Sequence, residues 1–231
     1  MIKNYYIRRV LNASQLSKID ELIKTANENN FWHDGIKTGG GSHSVKSNTE
    51  LSDAEISRKI NNEIMTSLDS DKEFLSFTCA DSTALNIISR TKSGNYYNPH
   101  MDNWKNGDYS TTVFLNSPEN YDGGELCLYF GNDEEKKVKL DAGWAITYPT
   151  GILHRVNKVV SGSRYVSVFW TKSMVRNPEI RNLLYQIDTL ISLIEKNASP
   201  VHKTNCQSAF EDPLFIANNL KNEIMRIHGN K

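Results

Sequence analysis

Arg164-Tyr165-Val166-Ser167-Val168-Phe169-Trp170 reads as a β-strand with a charge in an unusual place. Its β-branched and aromatic residues suit extended backbone, and side chains along a strand alternate between two faces. Arg164 shares parity with Val166, Val168 and Trp170, while Ser163, Tyr165, Ser167 and Phe169 take the other face. With the Val/Trp face inward, Arg164 points a cation into the interior of a barrel. A buried guanidinium needs an anionic partner. Two kinds would serve: an Asp or Glu of this chain in an internal salt bridge, or a dicarboxylate ligand gripped bidentately.

Working outward, short strand-like runs precede this one from about residue 74. They are 84–89, 111–115, 125–130, 137–140, 144–148 and 154–159. Turn residues punctuate them at Ser93-Gly94, Asn106-Gly107, Asp122-Gly123-Gly124, Asp141-Ala142-Gly143 and Ser161-Gly162. Many short strands at this spacing predict an antiparallel sandwich or barrel. Helical spacing flanks the block. Ser14 is the expected cap of a helix carrying Leu16, Ile19, Leu22, Ile23 and Ala26. Ser52-Asp53-Ala54-Glu55 reads as a capping box before the stripe Ile56, Ile60, Ile64, Leu68. Two C-terminal helices are expected, over 178–196 and around Phe215–Ile227, joined by a loop over 197–212. The fold class is therefore mainly β with flanking helices (α+β). It forms a single domain over 1–231, with a helical N-terminal support at 1–73, a strand core at 74–173 and C-terminal helices at 174–231.

Residues 31–51 read as a long glycine-rich loop. Connections of about twenty residues in compact domains tend to be functional or disordered. No Gly-Lys-Ser/Thr follows its glycines, which excludes a phosphate loop. The expectation is a lid over a substrate cleft.

Composition narrows the class. Lys plus Arg and Asp plus Glu balance at 27 each, which argues against a footprint for duplex nucleic acid. Cys79, Cys127 and Cys206 form no Cys-x-x-Cys pair, pointing to buried thiols in a reducing compartment rather than zinc. No apolar run approaches the about 18 residues of a membrane span, and the first residues lack the apolar core of a secretion signal. The expected setting is soluble and cytoplasmic.

The chemistry gathers in Asn95-Tyr96-Tyr97-Asn98-Pro99-His100-Met101-Asp102-Asn103. Pro99 biases Asn98 towards extended backbone, so His100 and Asp102 share a face. His154 sits just beyond the turn at Gly151, at the expected rim of a sheet. Two histidines and a carboxylate with open positions make the facial triad of non-haem Fe(II) oxygenases. His33, His43, His202 and His228 show no ligand spacing and are expected in loops or on the surface. Tyr97 and Trp170 are candidates either for a substrate cleft or for barrel packing, and Asn103 lies close enough in sequence to the pair to touch a substrate.

These stretches together carry a resemblance. Trp32-x-Asp34-Gly35-x-x-Thr38-Gly39, Val45-Lys46-x-Asn48, His100-x-Asp102-Asn103 and Tyr121-Asp122-Gly123-Gly124-Glu125-Leu126 begin it. Tyr148-Pro149, Leu153-His154-Arg155-Val156 and Phe169-Trp170-x-x-Ser173-Met174-Val175-Arg176 complete it. The chain resembles the Fe(II)/2-oxoglutarate-dependent dioxygenases of the prolyl 4-hydroxylase-like branch, and within them the PKHD-type hydroxylases. The resemblance implies a double-stranded β-helix (jelly-roll) core. It implies His100, Asp102 and His154 on Fe(II), and Arg164 on the C5 carboxylate of 2-oxoglutarate. It further implies O2 as co-reactant, ascorbate as reductant, and no catalytic side chain beyond the metal centre. The reaction implied couples decarboxylation of 2-oxoglutarate to succinate and CO2 with hydroxylation of a substrate C–H bond. The substrate would be a peptide, with a peptidyl proline foremost, or a small molecule. A metabolite or nucleobase oxygenase, or a non-catalytic jelly-roll responsive to iron or 2-oxoglutarate, is the alternative. Thr91 stands where relatives often carry a cosubstrate-touching Tyr, and Phe114 where some offer a hydroxyl. The retained Asp102 argues against halogenating variants.

Overall fold

The computed structural model describes residues 4–39, 45–131, 135–197 and 212–229. β1 (Tyr6–Arg9) leads into α1 (Ala13–Glu28). The cap of α1 is Asn12, not Ser14. Asn12 Oδ1 accepts from Gln15 N, and Gln15 Oε1 accepts from Asn12 N, which closes a reciprocal box and leaves Ser14 inside the first turn. α2 (Ala54–Asp69) is capped by Asp53 rather than Ser52, because the Asp53 carboxylate reaches Ile56 N at 2.7 Å. Ile56, Ile60, Ile64 and Leu68 are buried in one stripe, as their spacing predicts.

The strand block starts at Ala80, not at 74. Residues Lys72–Thr78 form α3, with Asp71 accepting from Glu73 N and Phe74 N. Seven residues are two turns, too few for periodicity to register. The helix ends at Cys79, a non-glycine residue held at φ 47°.

Two sheets face each other. The larger runs β1, β10 (Trp144–Pro149), β6 (Tyr109–Phe114), β12 (Val159–Ser173), β4 (Ala80–Lys92), β3 (Thr49–Leu51), β2 (Trp32–Asp34), with β7 (Tyr121–Gly123) also on β12. The smaller runs β5 (Tyr97–His100), β11 (Leu153–Val156), β8 (Leu126–Tyr129), β9 (Glu135–Val138). Neighbouring strands pair antiparallel throughout. Two expectations change here. The segment 31–51 is not one loop: β2 and β3 pair within it, and Gly35–Gly39 is a 3-10 turn. The run 154–159 is not one strand. Asn157 turns to Glu125 through backbone and side chain, and Val159 pairs with Gly123 in the other sheet.

The larger sheet is buried on both faces. Phe169 and Val113 pack outward with Ile19, Ile60, Ile64 and Phe77 of the helical layer. Val166, Phe114 and Ile146 pack inward with Leu126, Leu128 and Val138 of the smaller sheet. The parity expected for β12 holds, and the helices explain why its second face is also apolar. The C-terminal helices are α4 (Pro178–Asn197) and α5 (Pro213–His228). Residues 198–211, expected as loop and including Cys206 and His202, lie outside the described residues, as does His43. Arg181 of α4 reaches Asp108 at 3.1 Å and so ties this layer to the segment that follows the His-x-Asp pair.

Candidate metal centre

His100 closes β5, and His154 pairs with it directly across the ladder on β11. A bulge between His154 and Val156 shifts the register there. Asp102 follows two residues after His100. The ligand atoms of His100, Asp102 and His154 lie within 4.8 Å of one another. His100 Nε2 is 3.7 Å and His154 Nε2 3.8 Å from the same atom, Asp102 Oδ1.

The orientation of each group is set from behind. His100 Nδ1 faces Asn98 O at 2.8 Å, and His154 Nδ1 faces Ile152 O at 2.9 Å. A carbonyl can only accept, so each Nδ1 carries a proton and each Nε2 is the ring nitrogen turned to the centre. Burial, then the neighbouring His154, pulls the His100 pKa below its ordinary value, so the imidazole is neutral and able to ligate. Asp102 uses its far oxygen as the anchor: Oδ2 accepts from Ser110 Oγ at 2.6 Å and from Trp170 Nε1 at 2.9 Å. Ser110 and Trp170 are register partners on β6 and β12, so one rung of the larger sheet fixes the carboxylate. Two imidazole nitrogens and one fixed carboxylate oxygen converging on a point fit a divalent first-row metal.

One cavity of about 380 Å³ runs from this triad into the space between the sheets. Arg164 lines it, 3 % exposed, opposite Thr91 on β4. Among the described residues Arg164 makes no ion pair, and its Nε has no hydrogen-bond partner. Burial lowers its pKa, partly offset by Tyr121 and Tyr148 nearby. The internal salt bridge is therefore not what holds this cation. Its guanidinium carbon sits 5.3 Å from the Phe114 ring centroid. Gly124 explains part of the Asp-Gly-Gly-Glu-Leu stretch. At φ +69°, a Cβ there would come within 2.9 Å of Val159 Cγ2 and 3.3 Å of Arg164 Cδ.

All four residues expected at the centre come together, and Tyr97, Asn103 and Trp170 line the same cavity. Tyr97 stacks on His100 with ring centroids 3.6 Å apart. Trp170 does more than line the wall, since its indole nitrogen holds Asp102. Sequence reasoning missed Ser110 and Glu50; Lys46, Asn48 and Tyr148 stood in the resembling stretches, and the structure puts all three on the cavity wall with Glu50. Tyr148 is fully buried, and burial raises its hydroxyl pKa well above the ordinary value.

The fold and the triad define a class, the 2OG-Fe(II) oxygenase superfamily, whose family model matches residues 86–172. Among solved structures, a Pseudomonas putida prolyl-4-hydroxylase superposes with TM-score 0.55 at 14% identity, covering 74% of this chain and 92% of that one. A Trichoplax adhaerens prolyl hydroxylase, solved with a hypoxia inducible factor peptide fragment, gives TM-score 0.59 at 14% identity, covering 78% and 86%. These likenesses show a shared double-stranded β-helix fold. A PKHD-type hydroxylase of Prochlorococcus marinus (strain NATL2A) is 36% identical over 190 residues, 80% of this chain and 85% of the relative. One from Acaryochloris marina (strain MBIC 11017) is 38% identical over 190 residues, 79% and 84%. The chain belongs to the PKHD-type hydroxylases.

Proposed function

We propose that His100, Asp102 and His154 hold Fe(II), and that Arg164 takes the far carboxylate of 2-oxoglutarate within the same cavity. The observation that carries this reading is the buried, carboxylate-free Arg164 in one cavity with the triad. A lone buried cation is costly unless an anion compensates it, and the planar guanidinium matches a carboxylate bidentately. When bound, iron and 2-oxoglutarate supply oxidative decarboxylation to succinate and CO2 and the hydroxylation of a C–H bond. The chain's own part is to bind, orient and exclude water. The histidine carbonyl contacts fix the ring planes, Ser110 and Trp170 fix Asp102, and Val166, Val168 and Leu126 supply the apolar part of the wall.

Tyr97 and Asn103 stand on the substrate side of the cavity, and a peptidyl proline is the substrate we favour. The likeness to prolyl hydroxylases supports it. Ascorbate is the reductant implied by the resemblance. Cys79 and Cys127, buried and unpaired, support a reducing cytoplasmic setting; no helix among the described residues is long and apolar enough to cross a membrane.

Arg164→Ala tests the reading. Calorimetric titration of the Mn(II)-loaded variant should show 2-oxoglutarate binding weakened about a hundredfold, the worth of a charge-assisted hydrogen-bond pair. Mn(II) affinity should stay within about twofold, since Arg164 supplies no metal ligand. Unchanged 2-oxoglutarate affinity, or loss of fold, counts against it.

A further inference from the structure

The cavity contains two buried cations, and they are treated differently. Arg164 has no carboxylate beside it. Lys46 is neutralised: its Nζ donates to Glu50 Oε1 at 2.6 Å, with side chains only 7% and 5% exposed. Thr38 Oγ1 accepts from Lys46 and donates to Glu50, each at 2.5 Å. An ammonium has three donors, and these contacts use two. The third has no acceptor among the described residues. Lys46 also sits 5.1 Å from the Tyr97 ring centroid, and Tyr97 stacks on His100. The pair thus forms the wall next to the metal ligands.

A buried ion pair adds little stability over well-packed apolar residues of the same volume. On the wall of a cavity, its unused donor is placed to meet a ligand. We propose that Lys46 and Glu50 anchor the substrate by a neutral amide group, whose carbonyl oxygen accepts the remaining Lys46 N–H. Charge decides between an amide and an acid. A carboxylate arriving at Lys46 would meet Glu50 at close range, whereas an amide carbonyl meets no net charge. Glu50 Oε2, which lies 3.9 Å from the half-exposed His33 Nε2, retains acceptor capacity for an amide N–H. The division of labour is then electrostatic: the bare cation takes the dianionic cosubstrate, and the neutralised cation takes a peptide group. The proposal rests on the reading of the site as a peptide hydroxylase.

The probes are N-acetylprolinamide and N-acetylproline, identical apart from a carboxamide in place of a carboxylate. Their dissociation constants are measured anaerobically on the full chain loaded with Fe(II) and 2-oxoglutarate. Wild type should bind the amide at least about tenfold more tightly than the acid. Glu50→Gln exposes the charge of Lys46 and should reverse that preference. The double variant Lys46→Met/Glu50→Gln leaves no lone buried charge and so keeps a folded comparison; it should lose about tenfold in amide affinity. Equal binding of both probes by wild type, no binding of the amide, or a preference that Glu50→Gln does not move overturns the proposal. Succinate release by wild type without any probe is recorded in parallel. Where the probe results overturn the anchor but succinate is still released, the hydroxylase reading stands without it; no succinate, alone or with proline peptides, means that reading itself has failed.

Discussion

At the scale of single residues, Asp102 joins the metal centre to the scaffold. One oxygen faces the two histidines and the other is held by Ser110 and Trp170. Asp102→Asn keeps an acceptor for those donors but turns an amide towards the metal. It should lose metal binding in a calorimetric titration while its unfolding midpoint moves little. Trp170→Phe removes one hold without touching a ligand. Loss of such an outer contact should weaken metal affinity by about 10–100-fold, and a variant with wild-type affinity would reduce Trp170 to packing. His-x-Asp alone is weak evidence in a sequence. It gained meaning from His154 and Arg164, and the structure puts all four around one cavity. Ser110 was not legible, because nothing local marks it. Its role follows from pairing with Trp170 across a ladder, and register is not visible until the strands are matched.

At the scale of elements, turn residues revealed most of the strands, and helical spacing revealed four of the five described α-helices. What stayed hidden was short. α3 spans seven residues and β2 and β3 three each, lengths at which neither period repeats. The caps were misplaced by one or two residues because several Asx and Ser side chains compete near each start. Gly124 links an element to the site, being the point where the chain passes close to Arg164. Gly124→Ala forces a side chain into positive φ, at a cost of about 1–2 kcal/mol, and presses on the Arg164 stem. Chemical denaturation should show that loss, together with weaker 2-oxoglutarate binding. Wild-type affinity in the variant would mean Arg164 has room to give.

At the scale of the whole molecule, the helical layer packs behind the larger sheet and the cavity lies between the two sheets. Ligands that bind only this arrangement must stabilise it. At about 100 times its Kd, a ligand adds about 2.7 kcal/mol, which for a chain of this size is about 5–10 °C in unfolding midpoint. Mn(II) with 2-oxoglutarate should therefore raise the midpoint together, and Arg164→Ala should retain only the part due to the metal. Succinate formation bears most directly on the assignment. The full chain is loaded with Fe(II) and 2-oxoglutarate without oxygen and then exposed to air. Wild type should release succinate and CO2 in equal amounts, and Asp102→Asn should release none. Wild type that binds both metal and 2-oxoglutarate yet forms no succinate, alone or with proline peptides, would contradict it.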